Sequence, residues 1–243
     1  WMKLEVKRFP NAIGKDGKPG DTPSPHTEEA MKLDAAVFAQ VMTYLKDHDP
    51  QHTVIMVQVE NEPGSWGTVR DYSPKAEKLF AGQVPAALMN DDVLQELGCV
   101  KKQNGTWKEV FGERADEYFH AWSVARYIEH VAAAGKDVNP LPLYTNAALR
   151  DPLTNPMANK YESGGPTDNV IIIYRIAAPH LDLVAPDIYL EGHKTVTAVI
   201  DLYARPDNAL MVPEVGFSNV KYLYKVIEKG FGFAPFGVDN PEG

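Results

Sequence analysis

Cross-linking chemistry is nearly missing from this chain. Cys99 is the single cysteine in 243 residues, so no intrachain disulfide can staple the fold and stability has to come from a packed core. Long apolar runs are missing as well. Even a run as long as any in the chain, Val170 to Tyr174, falls far short of the roughly 20 residues that cross a bilayer, which removes a membrane-spanning helix from the reading. A basic excess is also absent: 24 Lys and Arg face 33 Asp and Glu, and the formal charge of −9 repels phosphates and anionic lipid heads. Nucleic acid and membrane surfaces are therefore not expected partners. The seven histidines show neither His-x-His nor His-Glu-x-x-His spacing, so no metal site is expected. No glycine-rich phosphate loop follows a strand, and Gly164-Gly165-Pro166 reads as a turn. Trp1-Met2-Lys3-Leu4-Glu5 shows neither an initiator methionine nor a signal peptide's apolar stretch, which points to a truncated or processed start and leaves the compartment open.

What is present is periodicity. Residues 10 to 26 are rich in Gly, Pro, Lys and Asp and read as a surface loop ending at the capping candidates Ser24 and Thr27. Met31, Ala35, Phe38, Val41, Met42 and Leu45 then recur at helical steps until Pro50 stops them. The β-branched run Thr53 to Val59 has the signature of a strand buried on both faces in a parallel sheet. The same unit recurs: a long helix through Ala115, Tyr118, Trp122, Ile128 and Val131, then a strand from Leu141 to Thr145. Val170 to Ala178 mixes β-branched residues with the cap-like Asp168-Asn169; the alternation of elements favours a helix. Strands follow at Leu181–Tyr189, Ala209–Val215 and Phe231–Phe236, with helices at Thr195–Tyr203 and Asn219–Lys229 between them.

Repeated helix and strand units with no sequence repeat predict one parallel α/β layer, most simply part of a (β/α)₈ TIM barrel. Five strand candidates are three short of closure, and the first 26 residues have no room for the rest. The expectation is the last five βα units of the barrel, with the first three strands absent and residues 1 to 243 forming one domain portion. A long insertion at about 63 to 112, with weak helical signal from Val84 to Leu97, accounts for the length.

Two of the expected strands end in carboxylates. Gln58-Val59-Glu60-Asn61-Glu62-Pro63-Gly64 breaks an apolar strand with polar residues, and Ala209-Leu210-Met211-Val212-Pro213 ends in Glu214. Polar side chains at the C-terminal ends of barrel strands face the site, and two carboxylates converging there can hydrolyse a glycoside, one as proton donor and one attacking the anomeric carbon. Taken alone, Glu60 and Glu62 have the solvated start of a loop as their lesser alternative reading. Asn61 offers an amide to a sugar hydroxyl, Tyr189 a hydroxyl to a carboxylate, and Asn146 ends the second strand at the level of the site, suited to substrate binding or to loop capping. Trp66 is the stronger candidate for stacking on a sugar and Trp107 the weaker, since a loop Trp more often packs on its own protein. Asn104-Gly105-Thr106 matches a glycosylation sequon, a pattern frequent by chance.

Val57-Gln58-Val59-Glu60-Asn61-Glu62, with Gly64-Ser65 behind it, resembles the acid/base motif of glycoside hydrolase family 35, the β-galactosidases. Val212-Pro213-Glu214-Val215-Gly216 is similar to the nucleophile strand of the same group, and Arg8-Phe9-Pro10, Asn146 to Pro152, Ala185 to Tyr189 and Gly232 to Gly237 extend the likeness over most of the chain. The resemblance implies a retaining enzyme acting on β-galactosides, with Glu62 as acid/base, Glu214 as nucleophile, Asn61 on the sugar 2-hydroxyl and Tyr189 beside the nucleophile. It implies no cofactor, a carbohydrate as the partner, and slightly favours a periplasmic or secreted location; oligomeric state stays open. Pro63 departs from the pattern, which commonly has an aromatic residue there. Another retaining β-glycosidase of the same barrel group, or a non-catalytic carbohydrate-binding barrel, are the alternative readings.

Overall fold

The computed structural model describes residues 5–99 and 104–238; Trp1 to Leu4 and a short part of the insertion lie outside the described residues. Five parallel strands form one curled sheet in the order β3 (Val57–Gln58), β4 (Leu143–Ala148), β5 (Leu183–Ile188), β6 (Leu210–Val215) and β7 (Gly230–Pro235). Sequence order equals spatial order, as βα units in a barrel require. The five strands expected from the sequence are the five observed. Val170 to Ala178 resolves as helix α6 (Ile171–Ala177), although Asp168 caps nothing: it binds Arg150 through two hydrogen bonds of 2.7 Å.

Two expectations are corrected. The Gly- and Pro-rich stretch from 10 to 26 is not all loop: β1 (Asn11–Ile13) and β2 (Pro19–Pro23) pair antiparallel. The run Thr53 to Val59 forms only a two-residue strand, and Ile55 is 75% exposed. Its apolar composition suits burial, but β3 lies at the rim of the sheet, and a strand persists only where a neighbour supplies hydrogen bonds. The insertion is folded, carrying α2 (Pro74–Phe80), a 3₁₀ turn at Ala86–Leu88, α3 (Asp91–Glu96) and α4 (Trp107–Phe111). Trp107 belongs to this small core, 2% exposed against Phe111 and Phe119, and Thr106 of the sequon closes a capping box with Glu109 at the start of α4.

Buried polar clusters anchor the insertion. Arg70, 3% exposed, donates to Asp116 (2.5 Å), to Glu77 (2.9 Å) and to the Asp71 carbonyl (2.9 Å), with Tyr72 and Phe80 on its faces. Asp71 accepts from Ile13 N, Ser24 Oγ and Ser73, tying β1 and the loop before α1 to the insertion. Burial alone raises the Asp71 carboxyl, but those donors outweigh it and hold it below the ordinary range.

The main core lies between the sheet and its helices. Helix α5 (Ala115–Val138) buries Tyr118, Ala121, Ala125, Ile128 and Ala132, and α1 (Glu28–His48) packs on it where Gly135 leaves room for Phe38. A Cβ at Gly135 would stand 2.2 Å from the Phe38 ring. Helix α7 (His193–Tyr203) contributes Val196, Val199, Ile200 and Tyr203 beneath Val184 and Ile188 of β5, and α8 (Leu223–Lys229) contributes Val226. Strands β5 and β6 pair only at Asp187↔Glu214 and Ile188↔Val215. Lower down, the buried Asn208 side chain stands in for a strand, donating to Val184 O at 3.0 Å and accepting from Val184 N at 2.8 Å. Among the described residues no helix is long and apolar enough to cross a membrane.

Candidate active site

The polar residues at the C-terminal ends of the strands converge on one amide. Asn146, fully buried in β4, accepts from the Glu62 backbone N–H at 2.8 Å and donates to Asn61 Oδ1 at 3.1 Å and to Asp187 Oδ2 at 2.6 Å. Its side-chain groups are all taken up by protein partners, so its part is to position Asn61, Glu62 and Asp187. Gln58 Nε2 reaches Asn61 Oδ1 at 2.9 Å and the Glu60 carbonyl at 3.0 Å. With Asn61 Oδ1 occupied twice, its Nδ2 has no protein partner among the described residues and is the donor left for a ligand.

The loop after β3 is strained. Glu60 and Glu62 both adopt positive φ, 61° and 40°, a region that non-glycine residues rarely occupy. Close backbone approach holds it: Gly64 packs so tightly on residues 162 and 163 that a Cβ would meet Glu162 Cγ at 2.6 Å, and one at Gly165 would meet the Pro63 carbonyl at 2.4 Å. Gly164-Gly165 thus does more than turn the chain; it seats the loop that presents Glu62. Ser65 and Ser163 bridge the two segments, and Ser65 Oγ lies 3.2 Å from Nε2 of the fully buried His120. Burial, then neighbouring His26, pushes His120 down to about 3, so the ring is neutral.

Glu214, half-buried in β6, accepts a 2.8 Å hydrogen bond from the Tyr189 hydroxyl. Tyr189 is 46% exposed and meets Phe236 edge-on, which removes it from the core. Desolvation and that hydrogen bond raise its phenol above the ordinary range. Trp66 is 63% exposed. Near it Glu162 is pushed up to about 7, by burial first and by the charge of Glu62 second, with a hydrogen bond from Trp66 opposing.

One residue was not singled out by its sequence: Asp187. It pairs with Glu214 across β5 and β6, is 2% exposed, and lies within hydrogen-bonding reach of the Glu62 carboxyl. Burial first, then the charges of Glu214 and Glu62, push it up to about 9. The signal available in the sequence was a lone carboxylate inside the apolar strand Leu183-Val184-Ala185-Pro186-Asp187-Ile188. Asp187 thus links Glu62 and Glu214, whose positions are 152 apart in the chain.

A cavity of about 430 Å³ lies against the Glu62 loop, lined by Asp34, Glu60, Glu62, Ser65, Tyr127 and Glu162 among others. A cavity of about 540 Å³ between the insertion and residues 155–159 contains none of the three central carboxyls. Among the described residues no group of three His, Cys, Asp or Glu side chains is disposed to hold a metal ion.

Neither a protein-family profile nor a curated protein matches this sequence. Among solved structures, the chain is similar to the catalytic domain of β-amylase from Paenibacillus polymyxa, with a TM-score of 0.61 and 13% identity over 97% of this chain and 69% of that one. At that identity the likeness is one of fold: the curled five-strand sheet is a partial (β/α)₈ barrel.

Proposed function

We propose that this chain carries the reaction centre of a retaining glycoside hydrolase acting on terminal β-galactosides. The observation that carries the reading is the convergence of Glu62 and Glu214 on Asp187 from the ends of different parallel strands, with Tyr189 donating to Glu214. Glu214 attacks the anomeric carbon as a carboxylate, and the Tyr189 hydroxyl orients it. Glu62 gives its proton to the glycosidic oxygen as that bond breaks, and later takes one from the water that releases the sugar from Glu214. Asn61 Nδ2 binds a sugar hydroxyl beside the scissile bond, and exposed Trp66 offers a face for the leaving sugar. The galactoside preference rests on the motif Gln58-Val59-Glu60-Asn61-Glu62 with Gly64-Ser65, and the broader assignment draws support from the β-amylase catalytic domain as structural neighbour.

Hydrolysis of a panel of aryl β-glycosides by the full natural protein tests this, with galactosides expected to be cleaved best. Glu214→Gln is expected to abolish turnover. Glu62→Ala is expected to keep turning over an activated aryl glycoside, whose leaving group needs little protonation, and to be rescued by azide. Equal loss on activated and unactivated substrates with no azide effect removes Glu62 from the role. Preference for another sugar keeps the mechanism and replaces the substrate; tight sugar binding with no cleavage makes the protein a binding barrel.

A further inference from the structure

We propose that Asp187 is a positioning residue that shares one proton with Glu62 and so keeps the acid/base carboxyl supplied with the proton it must deliver. This rests on the glycosidase reading above. The geometry begins with an accounting problem. Asp187 Oδ2 accepts from Asn146 at 2.6 Å, while Oδ1 is buried with no donor, and the nearby Glu62 carboxyl, also an acceptor when ionised, cannot supply one. Two facing carboxylates with a buried, undonated oxygen are reconciled by a proton between them.

Among the described residues the surroundings offer no counter-charge. From the loop after β3 Asp187 meets Glu62, from β4 Asn146 and Tyr144, from β6 Glu214, from the end of its own strand Tyr189, and from α7 Tyr203. All are acids or neutral groups. Arg150, which bears on Tyr203, is held by both oxygens of Asp168. The elevation of Asp187 to about 9 agrees with a pair that keeps one proton through neutral pH, and that proton belongs to the pair rather than to either residue.

In the first step the proton leaves through Glu62 to the glycosidic oxygen, the bond from that oxygen to the anomeric carbon breaks, and a Glu214 oxygen bonds to the carbon. Two unprotonated carboxylates are then left facing each other, which makes Glu62 the stronger base for the second step. There it takes a proton from water, the water oxygen bonds to the anomeric carbon, and the ester to Glu214 breaks. At 2% exposure Asp187 touches no sugar.

Asp187→Asn in the full natural protein tests the idea. The amide oxygen keeps the acceptor Asn146 needs, and the amide N–H gives Glu62 a donor it cannot take a proton from. The alkaline limb of the kcat/KM profile is expected to move to lower pH by about one unit or more. Unactivated substrate should lose about 10²-fold at pH 7 while an activated aryl glycoside changes only a few-fold. Independently of turnover, the infrared difference between wild type and variant at pH 7 should contain a protonated-carboxyl band. Equal loss on both substrates with an unmoved profile, or no such band, overturns the inference. If Glu62→Ala and Glu214→Gln themselves leave activity intact, the glycosidase reading falls instead, and the band alone then decides whether the proton is shared.

Discussion

The centre of the sheet and its rims are built differently. All six residues of β5 are buried, and a carboxyl among them is held by the Asn146 side chain of β4 and stands in register beside Glu214 of β6. At the rims β7 has no buried residue and β3 is two residues long. The difference teaches where this chain's chemistry resides. Positioning at the ångström scale needs neighbours on both sides, which β4, β5 and β6 have, and the carboxyls are found there or on the loop those strands hold. The rims contribute less to order, and their apolar side chains stay in water.

The largest expected contrast comes from the hub. Asn146→Ala leaves the Asp187 carboxyl without its donor in a buried setting and the Glu62 N–H without its acceptor in a part-buried one. Losing the partners of buried polar and charged groups costs about 3–5 kcal/mol. Turnover should fall as well, by about 10²-fold or more, because Glu62 and Asn61 lose their common anchor. Denaturant unfolding and kcat on an aryl β-glycoside check both. A variant with normal turnover would show that the carboxyl positions do not depend on the centre of the sheet.

Next in size is packing. Ile188 on β5 is 1% exposed and Phe231 on β7 is 53% exposed. Ile188→Ala is expected to cost about 3 kcal/mol, and Phe231→Ala, although it removes a larger side chain, less than about 1 kcal/mol. Equal costs in urea titrations would mean that the rim is as ordered as the centre.

The centre also stores an ionisation cost that pH reveals. Asp187 is raised in the folded protein to about 9, whereas an unfolded aspartate titrates near 4. A raised carboxyl contributes stability that is fully present below the unfolded value and is lost as pH rises through the folded one. Asp187→Asn removes this dependence, so the variant should gain stability over wild type as pH rises from about 4 to about 9, by up to about 1.4 kcal/mol per pH unit. Comparing the two proteins cancels the opposite slope from His26 and His120, both lowered by burial. A difference that stays flat over that range would mean that Asp187 is ionised and compensated.

Much of this organisation is legible in the residues. The helical steps from Met31 to Leu45 and from Ala115 to Val131 and the apolar strands before Tyr189 and Glu214 reflect local periodicity, which the chain carries by itself. Glu62 and Glu214 stand out because they interrupt such strands. Other features depend on partners far along the chain. Whether Thr53 to Val59 forms a long strand depends on a neighbour on its outer side, and its composition says nothing of that. The state of Asp187 depends on Asn146, Glu62 and Glu214 from three other segments. Gly164-Gly165 looks like any turn until the backbone of Pro63 is placed against it. The hairpin of β1 and β2 hides because glycine and proline mark turns more strongly than they mark short strands.

The smallest expected effect on stability tests the rims themselves. The strands β3 and β7 end the parallel sheet, and Ile55 and Phe231 beside their unpaired backbone are 75% and 53% exposed. An unpaired edge with apolar side chains is a template for another chain, and charge on such an edge is how proteins blunt it. The 243-residue chain expressed alone is therefore expected to self-associate as concentration rises. Ile55→Lys with Phe231→Lys should shift the onset of light scattering to several-fold higher concentration while changing unfolding free energy by less than about 0.5 kcal/mol per site. Both positions are mostly in water already, so the lysines displace little packing and act on association alone. A double variant that associates as readily as the parent, or loses more than about 2 kcal/mol, would mean that the rims are packed and that the contrast with the centre is one of degree.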